Sequence, residues 1–323
     1  MRRALGQALC IGVSAHAVSL LRTSRWRMGR ATPPVTVLAE HAFAPSADHL
    51  FDAIAQALRA LLGELELAGW PVSFVLADEL TRMWQVTPPP AASRMADIEA
   101  AAGLRFQALY GETPAGWQIS ADWDTQKPFF AAAVPRALLA ELALVAKEYE
   151  LSVVGIVPHF VTAWNRWHRA IKPGAWFGLV HDQVLTLAVI DQPEQGGALR
   201  ALRAVPVPQG ADQHWLTQTL KREALLQNVE APSLLQVCGS APAAWMRTAG
   251  AAGAAVGVAG TARTTAAGAR DALGAGAAGG SAITAATAAA ATPIPCSALD
   301  QAQQAAAGDA SAVVLLARGG AAV

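Results

Sequence analysis

The chain has 323 residues, 24 Lys+Arg against 24 Asp+Glu, 53% hydrophobic and 15% charged residues. Zero net charge excludes the overall basicity of a general nucleic-acid binder. Three widely spaced cysteines, Cys10, Cys238 and Cys296, argue against a disulfide framework and leave no CxxC metal or redox pair.

The length suits one large domain or two ordinary ones, with ample material for a core. At the N-terminus, Arg2 and Arg3 precede an apolar stretch and Ala15-His16-Ala17, the outline of a signal peptide. Gln7, Ser14 and His16 interrupt that run, and Leu9, Ile11 and Val13 alternate with other residues. A hairpin of strands over 9–14 and 18–23 is therefore the favoured reading. Arg2, Arg3, Arg22, Arg25, Arg27 and Arg30 all precede the first acid, Glu40, and are read as solvated hairpin ends rather than a phosphate or lipid patch. No later stretch offers about twenty strongly apolar residues. The expectation is a soluble cytoplasmic protein.

A third strand is expected over 32–40. Ser46 can cap a helix running to about residue 67, with Leu50, Ile54, Leu58, Leu61 and Leu65 on one face and Gly69 as its stop. Strands follow over 72–76 and 83–86, then a short helix over 93–102 closed by Gly103. Two more strands are expected over 117–123 and 129–134. Pro135 opens a helix through 150. A strand over 151–157 and a helix over 160–170 complete the first half. The second half restarts with a hairpin of 176–180 and 184–190, turning at His181-Asp182-Gln183, and a third strand over 199–207. A helix over 214–228 and a strand over 234–238 follow. This echo suggests two α/β lobes of related build. Residues 249–292 are dominated by Ala and Gly, which bury little apolar area, and read as a low-complexity, disordered or weakly helical insertion. Residues 311–318 suit a final helix or strand.

Most motifs fail on context. Gly274, Gly276 and Gly279 match GxGxxG, but no buried strand precedes them and the tract is Gly-rich throughout. There is no Gly-Lys pair for a Walker A loop. Gly12-Val13-Ser14-Ala15-His16 departs from a nucleophile elbow at His16. The seven His show no metal-ligand spacing and read as surface or satisfied core residues. Asp122, Asp124 and Asp182 lack a paired carboxylate for acid–base work. Ten Trp beside two Tyr are unusual. A core role is the default for Trp164, Trp167, Trp176 and Trp215, and an exposed subset would suit a protein-binding groove.

The order of elements, together with Ile11-Gly12-Val13-Ser14-Ala15-His16-Ala17-Val18, Val72-Ser73-Phe74-Val75-Leu76, Val154-Gly155-Ile156-Val157-Pro158 and Gln236-Val237-Cys238-Gly239-Ser240-Ala241, resembles the actin-like ATPase fold. The nearest group is the PilM-like and GspL-like proteins of type IV pilus and type II secretion assembly. The resemblance implies a two-lobed actin-like (ribonuclease H-like) α/β fold. Residues 1–170 would form the first lobe, with 84–130 as a small inserted subdomain, and 171–323 the second, with 249–292 as the low-complexity tract.

By that resemblance, Gly12, Ser14, Gly178 and Gly239 occupy nucleotide-site positions in degenerate form. The first hairpin has Gly12 and Ser14 where ATP-binding members carry Asp-x-Gly, and the second has Gly178 and Val180. Cys238-Gly239 stands for a glycine pair. Without those acids a magnesium-bound nucleotide has no protein carboxylate behind its water shell. The expectation is no cofactor, ATP with magnesium being conceivable but not expected, and no catalytic residue. The family's partner peptide points to the inserted subdomain, so Trp84, Arg94, Trp117 and Trp123 are the candidate partner-binding residues. The function implied is a non-catalytic scaffold at the cytoplasmic face of the inner membrane, binding a cytoplasmic segment of an inner-membrane partner. The alternative is an active ATPase or sugar-kinase-like enzyme of the same fold, for which Asp182 and Asp191 are the nearest substitute acids. A third reading is an unrelated α/β domain.

Overall fold

The computed structural model describes residues 6–24, 35–44, 49–90, 94–191, 199–246, 293–300 and 310–320. The expectations for Ser46, for Arg25, Arg27 and Arg30, and for the tract of 249–292 with its GxGxxG string lie outside these residues.

β1 (Gln7–Val13) and β2 (Ala17–Ser24) pair antiparallel from Gln7↔Ser24 to Val13↔Val18. Ser14 closes their tight connection: its hydroxyl donates to the Ala17 carbonyl at 3.1 Å and accepts from the Ala17 amide at 3.0 Å. β3 (Thr36–Ala42) extends the hairpin on one side. β4 (Pro71–Leu76) and β8 (Ser152–Pro158) extend it in parallel on the other, giving the order β3-β2-β1-β4-β8. The parallel strands read as continuous apolar runs because both sheet faces are covered. On one face, Leu9, Ile11 and Phe74 meet Ile54 and Leu58 of α1 (Leu50–Leu62) and Leu138 and Leu142 of α3 (Arg136–Glu148). On the other, Cys10, Leu21 and Val75 meet Leu316 and Ala317 of α6 (Ala312–Gly320). Helix α1 ends at Gly63, earlier than its periodicity suggests. Leu65 and Leu67 continue the apolar set in a non-helical turn, and Gly69, at φ +75°, enters the strand rather than stopping the helix.

The insertion is a three-stranded antiparallel sheet of order β5-β7-β6, built from β5 (Arg82–Val86), β6 (Trp117–Ala121) and β7 (Phe129–Pro135). α2 (Met95–Tyr110) covers one face, with Trp84, Ile98, Phe106 and Phe129 as its core. α2 is longer than the expected 93–102. Gly103 does not end it, since its backbone stays helical; Gly111 at φ +70° ends it instead.

The second lobe repeats the first. β9 (Ala175–His181), β10 (Val184–Ile190) and β11 (Leu199–Pro206) form the antiparallel set, and β12 (Leu234–Gly239) adds in parallel. β13 (Cys296–Ala298), which periodicity does not signal, adds beyond it in the order β11-β10-β9-β12-β13. α5 (Gln213–Gln227) packs on this sheet, with Leu216 and Leu220 against Trp176, Leu187 and Leu235. Its N-terminus is capped by Asp212, whose carboxylate accepts from the Trp215 amide at 2.8 Å.

Two sheets of identical strand order give the two lobes a like build. The lobes are not divided cleanly at residue 170. α6 returns to the first lobe, where Ser19 donates to the Val313 carbonyl at 2.8 Å and the Cys10 thiol to the Ala317 carbonyl at 3.0 Å. α4 (His159–Trp167) lies beside it. No helix among the described residues is long and apolar enough to cross a membrane.

Candidate functional site

The two hairpins bring their tips to one cleft between the lobes, at the carboxyl ends of the parallel strands, where open α/β sheets place their sites. From the first lobe come Asp78 and Glu79, in the single turn of 3-10 helix (Asp78–Leu80) just past β4. Glu79 Oε1 accepts from the Ala15 amide at the first hairpin tip, at 3.2 Å. From the second come His181, at the end of β9, and Asp182, which takes φ +50° in the two-residue turn to β10.

Asp78 is buried, and its Oδ1 accepts from the Phe160 amide at the start of α4, at 3.0 Å. Burial raises its carboxyl to about 7; the Thr186 hydroxyl of β10 and the Phe160 amide offset part of that rise, and Glu79 adds to it. His159 is also buried. Burial, with His181 beside it, pushes its imidazole down to about 3, so it sits neutral. The His159 and His181 rings meet edge to face at 5.8 Å.

Of the cavities around the inserted subdomain, two reach the acids or the open face of its sheet. One, of ≈ 460 Å³, is walled by Asp78, Glu79, Arg82, Tyr110, Thr186 and Arg203. Arg82 is held there over the Tyr110 and Trp117 rings, 5.6 and 5.3 Å from their centroids. The other is a groove of ≈ 470 Å³ between the face of the inserted sheet that α2 leaves uncovered and the β8–α4 junction. Its apolar wall includes Met83, Phe130, Val134, Ile156, Val161 and Trp164, and its polar rim Gln118, Ser120 and Asn165.

The candidate nucleotide residues lie apart from these acids in role. Gly12 is within β1, and a Cβ there would stand 2.6 Å from the Val313 carbonyl of α6. Ser14 is spent on its own turn. Gly178 sits mid-strand in β9, where a Cβ would meet Leu185 and Val237 side chains at 3.0 and 3.1 Å. Gly239 has φ +86°, lies tight on the Val180 carbonyl, and donates its amide to Asp300 at 2.9 Å. Open space beside Gly239, among Arg166, Asp300 and Arg318, amounts to ≈ 40 Å³, against about 300–1,000 Å³ for small-molecule sites. Among the described residues, that space is smaller than a nucleotide needs. Asp191 follows β10 and lines none of these cavities.

None of the four candidate partner residues lines the apolar groove. Trp84 is buried against Phe106 and Tyr110 in the core of the insertion. Trp117 is half-buried, its indole donating to Glu112 at 2.9 Å. Trp123, at φ +52°, packs on Phe129. Arg94 is exposed at the start of α2. Sequence reasoning does not single out Asp78, Glu79 or Phe130, and gives Trp164 a core role by default. The acids had a readable signal: they directly follow the apolar run of 72–77, at the carboxyl end of a parallel strand.

No family model and no curated protein matches this sequence. Among solved structures, it is similar to the cytoplasmic domain of EpsL, an inner membrane component of the type II secretion system of Vibrio cholerae. The identity is 14% over 73% of this chain and 83% of that chain, with a TM-score of 0.47. It is also similar to the PilM-PilN type IV pilus biogenesis complex, with 15% identity over 72% of this chain and 81% of that chain and a TM-score of 0.49.

Proposed function

We propose that this chain is a non-catalytic actin-like scaffold of type IV pilus or type II secretion assembly. It sits peripherally on the cytoplasmic face of the inner membrane, holds the cytoplasmic segment of an inner-membrane partner, and works without a nucleotide. The observation that carries this reading is the groove beside the inserted subdomain. It has an apolar floor from Phe130 and Ala132, an aromatic wall at Trp164, and polar groups along one rim. An apolar trough with a few polar groups at its edge suits a peptide that inserts side-chain anchors and satisfies its backbone at the rim. The fates of Gly12, Gly178 and Gly239, each held by packing or a turn, support the absence of a nucleotide role.

The test uses the full chain and synthetic peptides spanning the cytoplasmic segments of the host's inner-membrane pilus and secretion proteins. One peptide is expected to bind with a change in tryptophan fluorescence, since Trp164 lines the groove. Ala132→Arg, which fills the floor without touching the insertion's buried core, is expected to weaken that binding by at least about tenfold. Equal binding to Ala132→Arg overturns the groove as the site. Magnesium-dependent ATP binding with turnover overturns the scaffold reading itself.

A further inference from the structure

The cleft holds a set of metal-ligating groups that neither the scaffold reading nor the nucleotide-site positions use. Glu79, His181 and Asp182 each present a donor atom, and the three atoms lie within 4.8 Å of one another. It is the only such group of three among the described residues. Acidic clusters are common, so the weight falls on the histidine. His181 is 3% exposed, and its Nε2 has no hydrogen-bond partner. Burying a ring nitrogen without a hydrogen bond is costly. That nitrogen is 3.4 Å from Asp182 Oδ2. Metal bonds of about 2.0–2.1 Å in tetrahedral geometry separate neighbouring ligand atoms by roughly 3.4 Å, so this pair already has the spacing of two ligands on one ion.

We propose that Glu79, His181 and Asp182 form a binding site for one divalent transition-metal ion, of which zinc is the type, that bridges the two lobes. One imidazole and two carboxylates make a mixed nitrogen and oxygen donor set, which suits zinc and its first-row neighbours better than magnesium. Two carboxylates also balance the ion's charge. The fourth position is left to water. The Ala15 amide, donating to Glu79 Oε1, fixes that carboxylate and leaves its second oxygen for the ion. Entry is open from two sides. Glu79 stands in the wall of the ≈ 460 Å³ cavity, and the Asp182 side chain is 47% exposed. Glu79 belongs to the first lobe, and His181 and Asp182 to the second. A bound ion therefore clamps the lobes at their hairpin tips, by a set of residues separate from Gly12 and Gly178.

The test starts from the full chain stripped with EDTA and exchanged into metal-free buffer. Zinc chloride is titrated in competition with a chromophoric chelator, and thermal melting is followed with and without zinc. One equivalent is expected to bind and to raise the melting temperature, because the ion holds only the folded cleft together. Asp182→Asn and Glu79→Gln are each expected to weaken binding by at least about tenfold, the scale on which even a ligand's hydrogen-bond partner counts. Asn is at home at the positive φ of residue 182, so this variant keeps the turn even if a substitution at His181 does not fold. Cys296→Ser is expected to bind as the parent does. Absence of stoichiometric zinc binding overturns the site. So does binding that Asp182→Asn and Glu79→Gln leave unchanged, or that Cys296→Ser abolishes. Magnesium competing on equal terms with zinc overturns the assigned metal class.

Discussion

The Asp78 carboxylate and the Phe160 amide meet at 3.0 Å across 82 positions of sequence, and this bond ties the end of β4 to the start of α4. The carboxylate stands at a helix N-terminus, where an anion is favoured, yet burial is the larger effect and raises it to about 7. His159, the residue before Phe160, is driven the opposite way, to about 3. The two shifts predict opposed pH dependences. Between about pH 3.8 and 7 native Asp78 keeps a proton that the unfolded chain has lost. Its contribution is therefore full at low pH and falls as pH rises to about 7. For His159 the unfolded chain holds the extra proton between about 3 and 6.5. Its contribution is full above 6.5 and is lost as pH falls. In urea unfolding with EDTA present, the stability of Asp78→Asn minus that of the parent should rise between pH 4 and 7. The same difference for His159→Gln should fall between pH 3 and 6.5. Each arm amounts to at most about 5 kcal/mol. Slopes of the reverse sign would refute the burial of these groups. Thr186, Glu79 and His181 face the pair and remain in both variants.

Gly12 and Gly155 make a paired test of why glycine stands in the first sheet. A methyl group at Gly12 meets the Val313 carbonyl and the Leu316 side chain of α6 within 2.8 Å, whereas at Gly155 nothing lies within 4 Å. Gly12→Ala should cost about 1–3 kcal/mol by overpacking. Gly155→Ala should be neutral or stabilising by about 0.5–1 kcal/mol, because it reduces unfolded-chain entropy within a strand. Urea midpoints of the two variants check both signs. Equal destabilisation would mean that α6 does not lie on β1.

Cysteine reactivity reports the same contact. Burial pushes the Cys10 and Cys296 thiols up to about 12 and the Cys238 thiol well above its ordinary value, with Asp300 and Asp78 adding to the last. Few thiolates exist at neutral pH, so alkylation of the native protein at pH 8 should be slow at all three, and fast in denaturant. Cys10 lies under α6 through its bond to the Ala317 carbonyl. Gly12→Ala should accelerate labelling of Cys10 more than that of Cys238, as read by mass spectrometry. Uniform acceleration would point to global unfolding rather than local release of the helix.

Asp212 offers a local test in the second lobe. Its carboxylate is the N-terminal cap of α5. Asp212→Ala should lower stability by about 1 kcal/mol, and Asp212→Asn by less, because the amide oxygen still accepts from the Trp215 amide. Identical losses for the two would show that the cap bond contributes nothing.

The duplicated hairpins were legible because strand alternation and turn residues are local signals. Leu9, Ile11 and Val13 mark β1, and His181-Asp182-Gln183 marks the second turn. α2 was misjudged at Gly103 because a glycine stops a helix only where its φ turns positive, which happens at Gly111 and is not a property of residue type. β13 escaped because three residues, Cys296–Ala298, are too few for any period. Of the candidate partner residues, Trp84 proved to be core. A tryptophan's composition-level rarity says nothing about which way its strand face is turned.

By itself, then, the amino-acid sequence determined the sheet pattern, the repetition of the two lobes and the presence of Gly12 and Gly178, rather than acids, in the two hairpins. These are one-residue or short-range properties, set by polarity, backbone freedom and the side chain present. Only the tertiary structure decided where α6 goes and which residues share the cleft. Glu79, His181 and Asp182 come together because two hairpins and the end of β4 converge across an interface. Trp164 and Phe130 share a groove because α2 covers one face of the inserted sheet and leaves the other open. Such meetings depend on the relative placement of whole elements, which is fixed by the burial of their apolar faces together, and no local period along the chain records it.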